Sequence, residues 1–286
     1  MSKFKRVRRQ PGQPVWLFDL DNTLHHASHA IFPQINMAMT DFIVRELELD
    51  RAEADALRTE YTRRYGTVLV GLMRRHGIDA AAFLDEVHHF ESLAGLVRTE
   101  RGLARTLRRL PGRKILFTNA PLTYATGVLD MLGIRRVFER VIAVEQMRDR
   151  RGWQSKPDHG MLRRMLRQLQ ARHRDAVLVE DTRSHLKHYR RTGLKTVWMV
   201  GHLRAARQTE GSGGGLGLAG SLTGELAGRP GEMPGKGHAD RDAGRPAERR
   251  ATGTRSADAS GGHAQRRGES GRPHYIDRRI RSIKSL

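Results

Sequence analysis

The stretch from Val15 to Leu24 constrains this chain more than any other, because an apolar run, Val15-Trp16-Leu17-Phe18, ends abruptly in Asp19-Leu20-Asp21-Asn22-Thr23. A short run rich in Val, Trp and Phe reads as a buried strand, and side chains two apart on a strand share a face. Asp19 and Asp21 can therefore look into one site. Two carboxylates this close repel when both are ionised, so a cation holds them or one keeps its proton. A plainer use stays open, since Asp21, Asn22 and Thr23 also suit a turn or a helix cap.

Downstream, the pattern alternates. Helical periodicity over residues 31–98 (Phe42, Leu47 and Leu49; Ala54, Leu57, Tyr61 and Tyr65; Val68, Leu69 and Leu72) predicts a small all-helical cap inserted after the first strand. Helix and strand then exchange regularly. Helices are predicted at 102–110, 121–132, 157–172 and 183–192, and strands at 114–117, 137–144, 176–179 and 196–200. This is the signature of an α/β fold, a Rossmann-like parallel sheet with helices on both faces, built from residues 15–30 and 99–203. Ligands of such sheets bind beyond the carboxyl ends of the strands. That rule gathers Asp21, Thr118-Asn119 and Glu180-Asp181 around one crevice.

Composition narrows the function classes. The chain of 286 residues has no cysteine, which excludes disulfides, thiolate metal sites and a Cys nucleophile. Residues 1–14 form a basic arm with Lys3, Lys5, Arg6, Arg8 and Arg9, and the apolar run behind it is too short for a secretory leader. No window approaches the ~18 apolar residues of a membrane span, so no membrane partner is expected and a cytoplasmic protein is. The net charge of +21 is spread over arm, body and tail. Such a field draws phosphorylated small molecules and, non-specifically, polyanions, yet no nucleic-acid-reading motif accompanies it. Residues 204–272 hold more than half of the 30 glycines and few large apolar residues, which reads as a disordered Gly/Arg-rich linker or as a stretch out of frame. In the last segment, 273–286, Tyr275, Ile276, Ile280, Ile283 and Leu286 are spaced for one face of a short helix that docks on the core.

Four elements thus occur in order: Asp19-x-Asp21-x-Thr23, Thr118, Lys156-Pro157 and Glu180-Asp181. Together they resemble the four signature motifs of the haloacid dehalogenase superfamily. Tyr65-Gly66-Thr67 to Gly71-Leu72, Arg74-Arg75-His76-Gly77-Ile78 and Val179-Glu180-Asp181-Thr182 resemble more narrowly its pyrimidine 5′-nucleotidase branch. The resemblance implies a phosphatase in which Asp19 attacks phosphorus and Asp21 protonates the leaving oxygen, then activates water. It implies Mg²⁺ on Asp19, the Asp21 backbone carbonyl and Asp181, with Glu180 direct or through water. Thr118 and Asn119 would hold the phosphoryl group, and Lys156 would neutralise it. A nucleoside 5′-monophosphate is the implied substrate, with sugar phosphates, phosphoglycolate and pyridoxal phosphate as alternatives. A nucleic-acid-associated binding protein on the same fold is the rival of another class. Tyr65 and His76 are the expected specificity residues of the cap, and Tyr61, Tyr65 and Trp153 the expected base-stacking rings. His25, His26 and His29 lack partners for a zinc site and are expected, with His88 and His89, at the entrance between cap and core.

Overall fold

The computed structural model describes residues 13–150, 152–202 and 274–286. Most of the basic arm and the Gly/Arg-rich segment lie outside them. Val15–Phe18 forms strand β1, at the centre of a six-stranded sheet. Around it lie β2 (Arg113–Phe117), β3 (Arg140–Ile142), β4 (Ala176–Glu180), β5 (Lys195–Met199) and β6 (Arg278–Ile280). The order is β3-β2-β1-β4-β5-β6, and every pairing is parallel. Parallel strands need both faces covered, and alternate side chains supply them. Phe18, Leu116, Val177 and Val179 enter one apolar cluster, while Leu17, Ile115, Phe117 and Leu178 enter the other. The expected parallel α/β sheet is what the chain builds.

Register brings the strand ends level. Phe18 stands opposite Leu116 and Val179, so the residues just beyond each strand emerge side by side. Asp19 continues the ladder by donating its N–H to the Val179 carbonyl at 3.0 Å.

Four helices follow β1: α1 (Ala27–Leu47), α2 (Arg51–Tyr65), α3 (Val68–His76) and α4 (Ala80–Val87). Helix α1 starts ahead of Ile31, where the sequence pattern places the cap, because Asn22 and Ser28 bond side chain to side chain and side chain to backbone (2.8 and 3.0 Å) and fold the turn directly into a helix. Capping is local and legible. Asp50 and Glu53 form a capping box on α2, and Thr67 and Asp79 cap α3 and α4. The two connections of this unit run together: His26 N–H donates to Arg98 O (2.7 Å), and the Thr99 hydroxyl donates to Leu24 O (2.6 Å). Ile31, Phe42, Leu72 and Phe83 of these helices share one apolar cluster with Phe18 and Leu116 of the sheet.

Helices α2 and α3 approach closely at Gly71, where an added Cβ would overlap the Tyr61 ring. Gly71→Ala should therefore destabilise the protein despite the better helix propensity of Ala, by roughly 1–3 kcal/mol for overpacking. A denaturant midpoint equal to or above that of the wild type would overturn this.

The rest of the sheet is covered by α5 (Leu103–Arg109), α6 (Leu122–Met131), the short α7 (Val144–Met147), α8 (His159–Gln168) and α9 (Arg183–Arg190). The strand predicted over 137–144 is shorter, since Arg135–Val137 is a 3-10 turn and Val144 already begins α7. The C-terminal segment departs from its predicted helix. It supplies β6 and a 3-10 turn, Ile283–Ser285. The open edge of β5 explains this: its unpaired backbone groups take up the segment, with Asp277 N–H bonding to Thr196 O (3.1 Å) and Val200 N–H to Ile280 O (2.9 Å). Ile276 then joins one apolar cluster, and Ile280 and Ile283 the other.

Candidate active site

At the ends of β1, β2 and β4, three acids and one cation meet. Asp19, Glu180 and Asp181 are buried, and one oxygen of each lies within 4.8 Å of the others. Lys156, itself only 2% exposed, donates through Nζ to Asp19 Oδ1 (2.6 Å) and Glu180 Oε2 (2.8 Å). One cation thus serves two of the three buried carboxylates. Burial, then repulsion by Glu180, raises the Asp19 pKa to about 7, although Lys156 pulls the other way. Burial and the same neighbouring acids, Glu180 first, also push Asp181 well above the usual carboxylate range. Glu180 is the exception. Burial alone would raise it, but Lys156 and His185 hold it far below that range. Lys156 stays protonated because Asp19 and Glu180 outweigh its own burial.

The neighbours fix this arrangement. Asn119 clamps the Lys156 backbone reciprocally: its Oδ1 accepts from Lys156 N–H (2.7 Å), and its Nδ2 donates to Lys156 O (3.2 Å). The Asn119 side chain is thus engaged in placing Lys156. Thr118 is buried, with its N–H on Ile142 O (3.0 Å) and its hydroxyl oxygen accepting from Ala120 N–H (3.1 Å). The Thr182 hydroxyl donates to Asp181 Oδ1 (3.0 Å), and Thr182 N–H to Glu180 Oε1 (3.2 Å).

Asp21 stands apart from the Lys156 cluster. Its Oδ1 accepts from Tyr124 OH (2.7 Å) and His25 Nε2 (2.8 Å), which leaves Oδ2 for another partner. Sequence reading places His25 at an entrance; it is wholly buried under Asp21 instead. Its spacing of four from Asp21 is a local signal, whereas Tyr124, on α6, carries none. His26 stacks on His202, with ring centroids 5.4 Å apart.

Asp19, Asp21, Thr118, Asn119, Lys156 and Asp181 line one cavity of about 50 Å³. Its far wall is apolar and comes largely from the helical unit, with Phe32, Leu69, Val70, Phe83 and Leu84, joined by Trp153. The expected specificity residues Tyr65 and His76 are not on it. His76 Nε2 is hydrogen-bonded to Tyr61 OH (2.6 Å), and Tyr65 packs edge-on against Tyr61 with Arg64 and Arg74 over its face. They lie on the α2–α3 packing surface because the faces of α3 diverge: its first turn, Thr67 to Val70, reaches the cavity, and its last does not. Of the three rings expected to stack on a base, Trp153 alone lines the cavity.

The buried acids fit a divalent metal. Three buried carboxylates whose oxygens lie within 4.8 Å of one another, with oxygen donors only, form the set that a hard cation such as Mg²⁺ takes.

A doubly wound parallel sheet with acids grouped at its strand ends, beneath an inserted helical unit, defines an α/β protein of the hydrolase type. The chain belongs to the haloacid dehalogenase-like hydrolases, whose family profile matches residues 15–187. It is 28% identical over 142 residues to Phosphate metabolism protein 8 of Saccharomyces cerevisiae, a match covering 46% of this chain and 43% of that protein. The match thus spans less than half of the curated relative. Among solved structures it is similar to CbbY from Rhodobacter sphaeroides in complex with phosphate, at 19% identity and a TM-score of 0.48 over 65% of this chain and 86% of that one. It is also similar to the hydrolase YfnB from Bacillus subtilis bound to magnesium, at 16% identity and a TM-score of 0.44 over 66% and 86% of the two chains. Neither likeness bears on the substrate. Among the described residues, no helix is long and apolar enough to cross a membrane.

Proposed function

We propose that this chain is a Mg²⁺-dependent phosphomonoester hydrolase working through an aspartyl phosphate, in a cytoplasmic setting. The observation that carries the reading is the division of labour between the two acids of the first loop. Asp19 sits among Lys156, Glu180 and Asp181, while Asp21 is turned away to His25 and Tyr124.

An Asp19 oxygen attacks phosphorus, forming the O–P bond as the ester O–P bond breaks. Asp21 gives its proton to the departing oxygen, then takes one from the water that releases phosphate. Oδ2 is the oxygen free to do this. Lys156 and Thr118 face the transferring group, and Asn119 keeps Lys156 in place. Asp19, Asp181 and the Asp21 carbonyl would hold Mg²⁺, with Glu180 beside them. When bound, the metal supplies charge neutralisation for the phosphoryl oxygens. The helical unit excludes water from the crevice.

For the substrate we take the nucleoside 5′-monophosphate reading as the one to test first, supported by Trp153 on the cavity wall. A compact sugar or polyol phosphate is the second reading, favoured by a cavity of about 50 Å³. Non-specific polyanion binding follows from the net charge of +21.

Phosphate release from a panel of nucleotides, sugar phosphates and phosphoglycolate, with Mg²⁺ and with chelator, tests the proposal. Activity should vanish in chelator, and Asp181→Asn should raise the Mg²⁺ needed for half-activity by about 10–100-fold, as loss of a charged ligand does. Undiminished turnover in excess chelator would sink the metal assignment.

A further inference from the structure

Asp181 directly follows the last residue of β4, Glu180, whose partner across the β4–β5 ladder is Trp198. That ladder therefore stops short of Asp181. A side chain holds the Asp181 backbone instead: Trp198 Nε1–H donates to Asp181 O at 3.0 Å. An indole nitrogen can only donate, and this bond fixes the peptide plane from which the Asp181 carboxylate is aimed at Asp19 and Glu180.

Trp198 is itself held, and the end of the chain contributes. The Arg279 guanidinium of β6 lies over the indole, 5.0 Å from the ring centroid, in the pairing that sets Arg279 opposite Trp198. Arg183, the first residue of α9, lies 5.5 Å from the indole centroid and donates through Nε to Tyr275 OH (3.3 Å), across 92 residues of sequence. Arg190, at the other end of that helix, pairs with Asp277 at 3.1 Å. Each contact is weak alone. A ring gripped by two cations, however, is less free to swing its N–H away from the Asp181 carbonyl.

We infer that Trp198 is a positioning residue of the metal site and that β6 acts through it: the C-terminal segment raises the affinity for a divalent cation by fixing the Asp181 loop. Neither Trp198 nor Arg279 lines the cavity, so their effect on the metal passes through Asp181. Partners that orient a ligand without touching the metal set its affinity by about 10-fold or more. The inference rests on the assignment of Mg²⁺ to Asp19 and Asp181 and extends it to residues outside the four motifs.

The experiment titrates Mg²⁺ calorimetrically into the full chain without substrate, and reads the urea midpoint of each variant in chelator. Trp198→Phe keeps an aromatic ring for the two guanidinium groups but has no N–H. It should weaken Mg²⁺ binding by about 10-fold. Arg279→Gln should weaken it by about 2- to 5-fold, and the double variant by no more than Trp198→Phe alone, because Arg279 acts only through the indole N–H. An affinity unchanged in Trp198→Phe overturns the inference even if the midpoint falls, since the bond then serves folding only. Additive losses in the double variant overturn the part given to β6. If Trp198→Phe does not fold, Arg279→Gln and Tyr275→Phe decide, and wild-type affinity in both overturns the inference. A wild type that binds no Mg²⁺, or whose affinity survives Asp181→Asn, would instead overturn the metal assignment, and this inference with it.

Discussion

Asp19→Asn should reduce phosphate release by about 10⁴-fold or more, because an amide oxygen cannot form the covalent intermediate and nothing else near the crevice replaces it. The protein should stay folded. Asn has the same shape, its Oδ1 can still accept from Lys156, and the substitution removes a buried charge that Glu180 and Asp21 repel. Unfolding measured in chelator should therefore give a midpoint equal to or above that of the wild type. Activity above about a tenth of wild type corresponds to a loss under ~1.4 kcal/mol of transition-state stabilisation. That result would remove Asp19 from the nucleophile's role.

The convergence behind this expectation is legible in sequence because parallel register does most of the positioning. Asp19, Thr118, Glu180 and Asp181 each follow an apolar strand, and once β1, β2 and β4 pair level, their side chains have nowhere else to meet. Lys156 is legible only through its motif. It stands in a loop ahead of α8, and what brings it under the strand ends is the Asn119 clamp across 37 residues, which no periodicity announces.

Other features were out of reach for reasons that can be named. Helical periodicity tells which face of α2 or α3 is apolar, not which neighbour that face meets. Tyr65 and His76 therefore read as candidates for the cavity but pack between helices. The Ile276, Ile280 and Ile283 spacing fits a helix face, but a vacant sheet edge offers backbone hydrogen bonds that an isolated short helix cannot match. The support of Asp21 is tertiary as well: Tyr124 lies 103 residues away on α6.

Lys156→Met should cost about 3–5 kcal/mol of folding stability, the usual penalty for removing one partner from a buried ion pair. Met fills much of the same volume, so the loss is electrostatic in origin. Asp19 Oδ1 and Glu180 Oε2 lose their donor together, and Glu180 has no exposed surface through which water could replace it. Against a typical total of 5–15 kcal/mol, this is a large fraction. The urea midpoint at neutral pH in chelator measures it, provided the slope is unchanged. Lys156→Met combined with Glu180→Gln should recover part of the loss, because the neutral amide no longer leaves a buried charge unpaired. The single variant should also lack detectable turnover, since the transferring group loses its cation. Equal midpoints for wild type and Lys156→Met would mean that Glu180 finds a proton or water at no cost, and the crevice would then owe its assembly to the Asn119 clamp and the strand register alone.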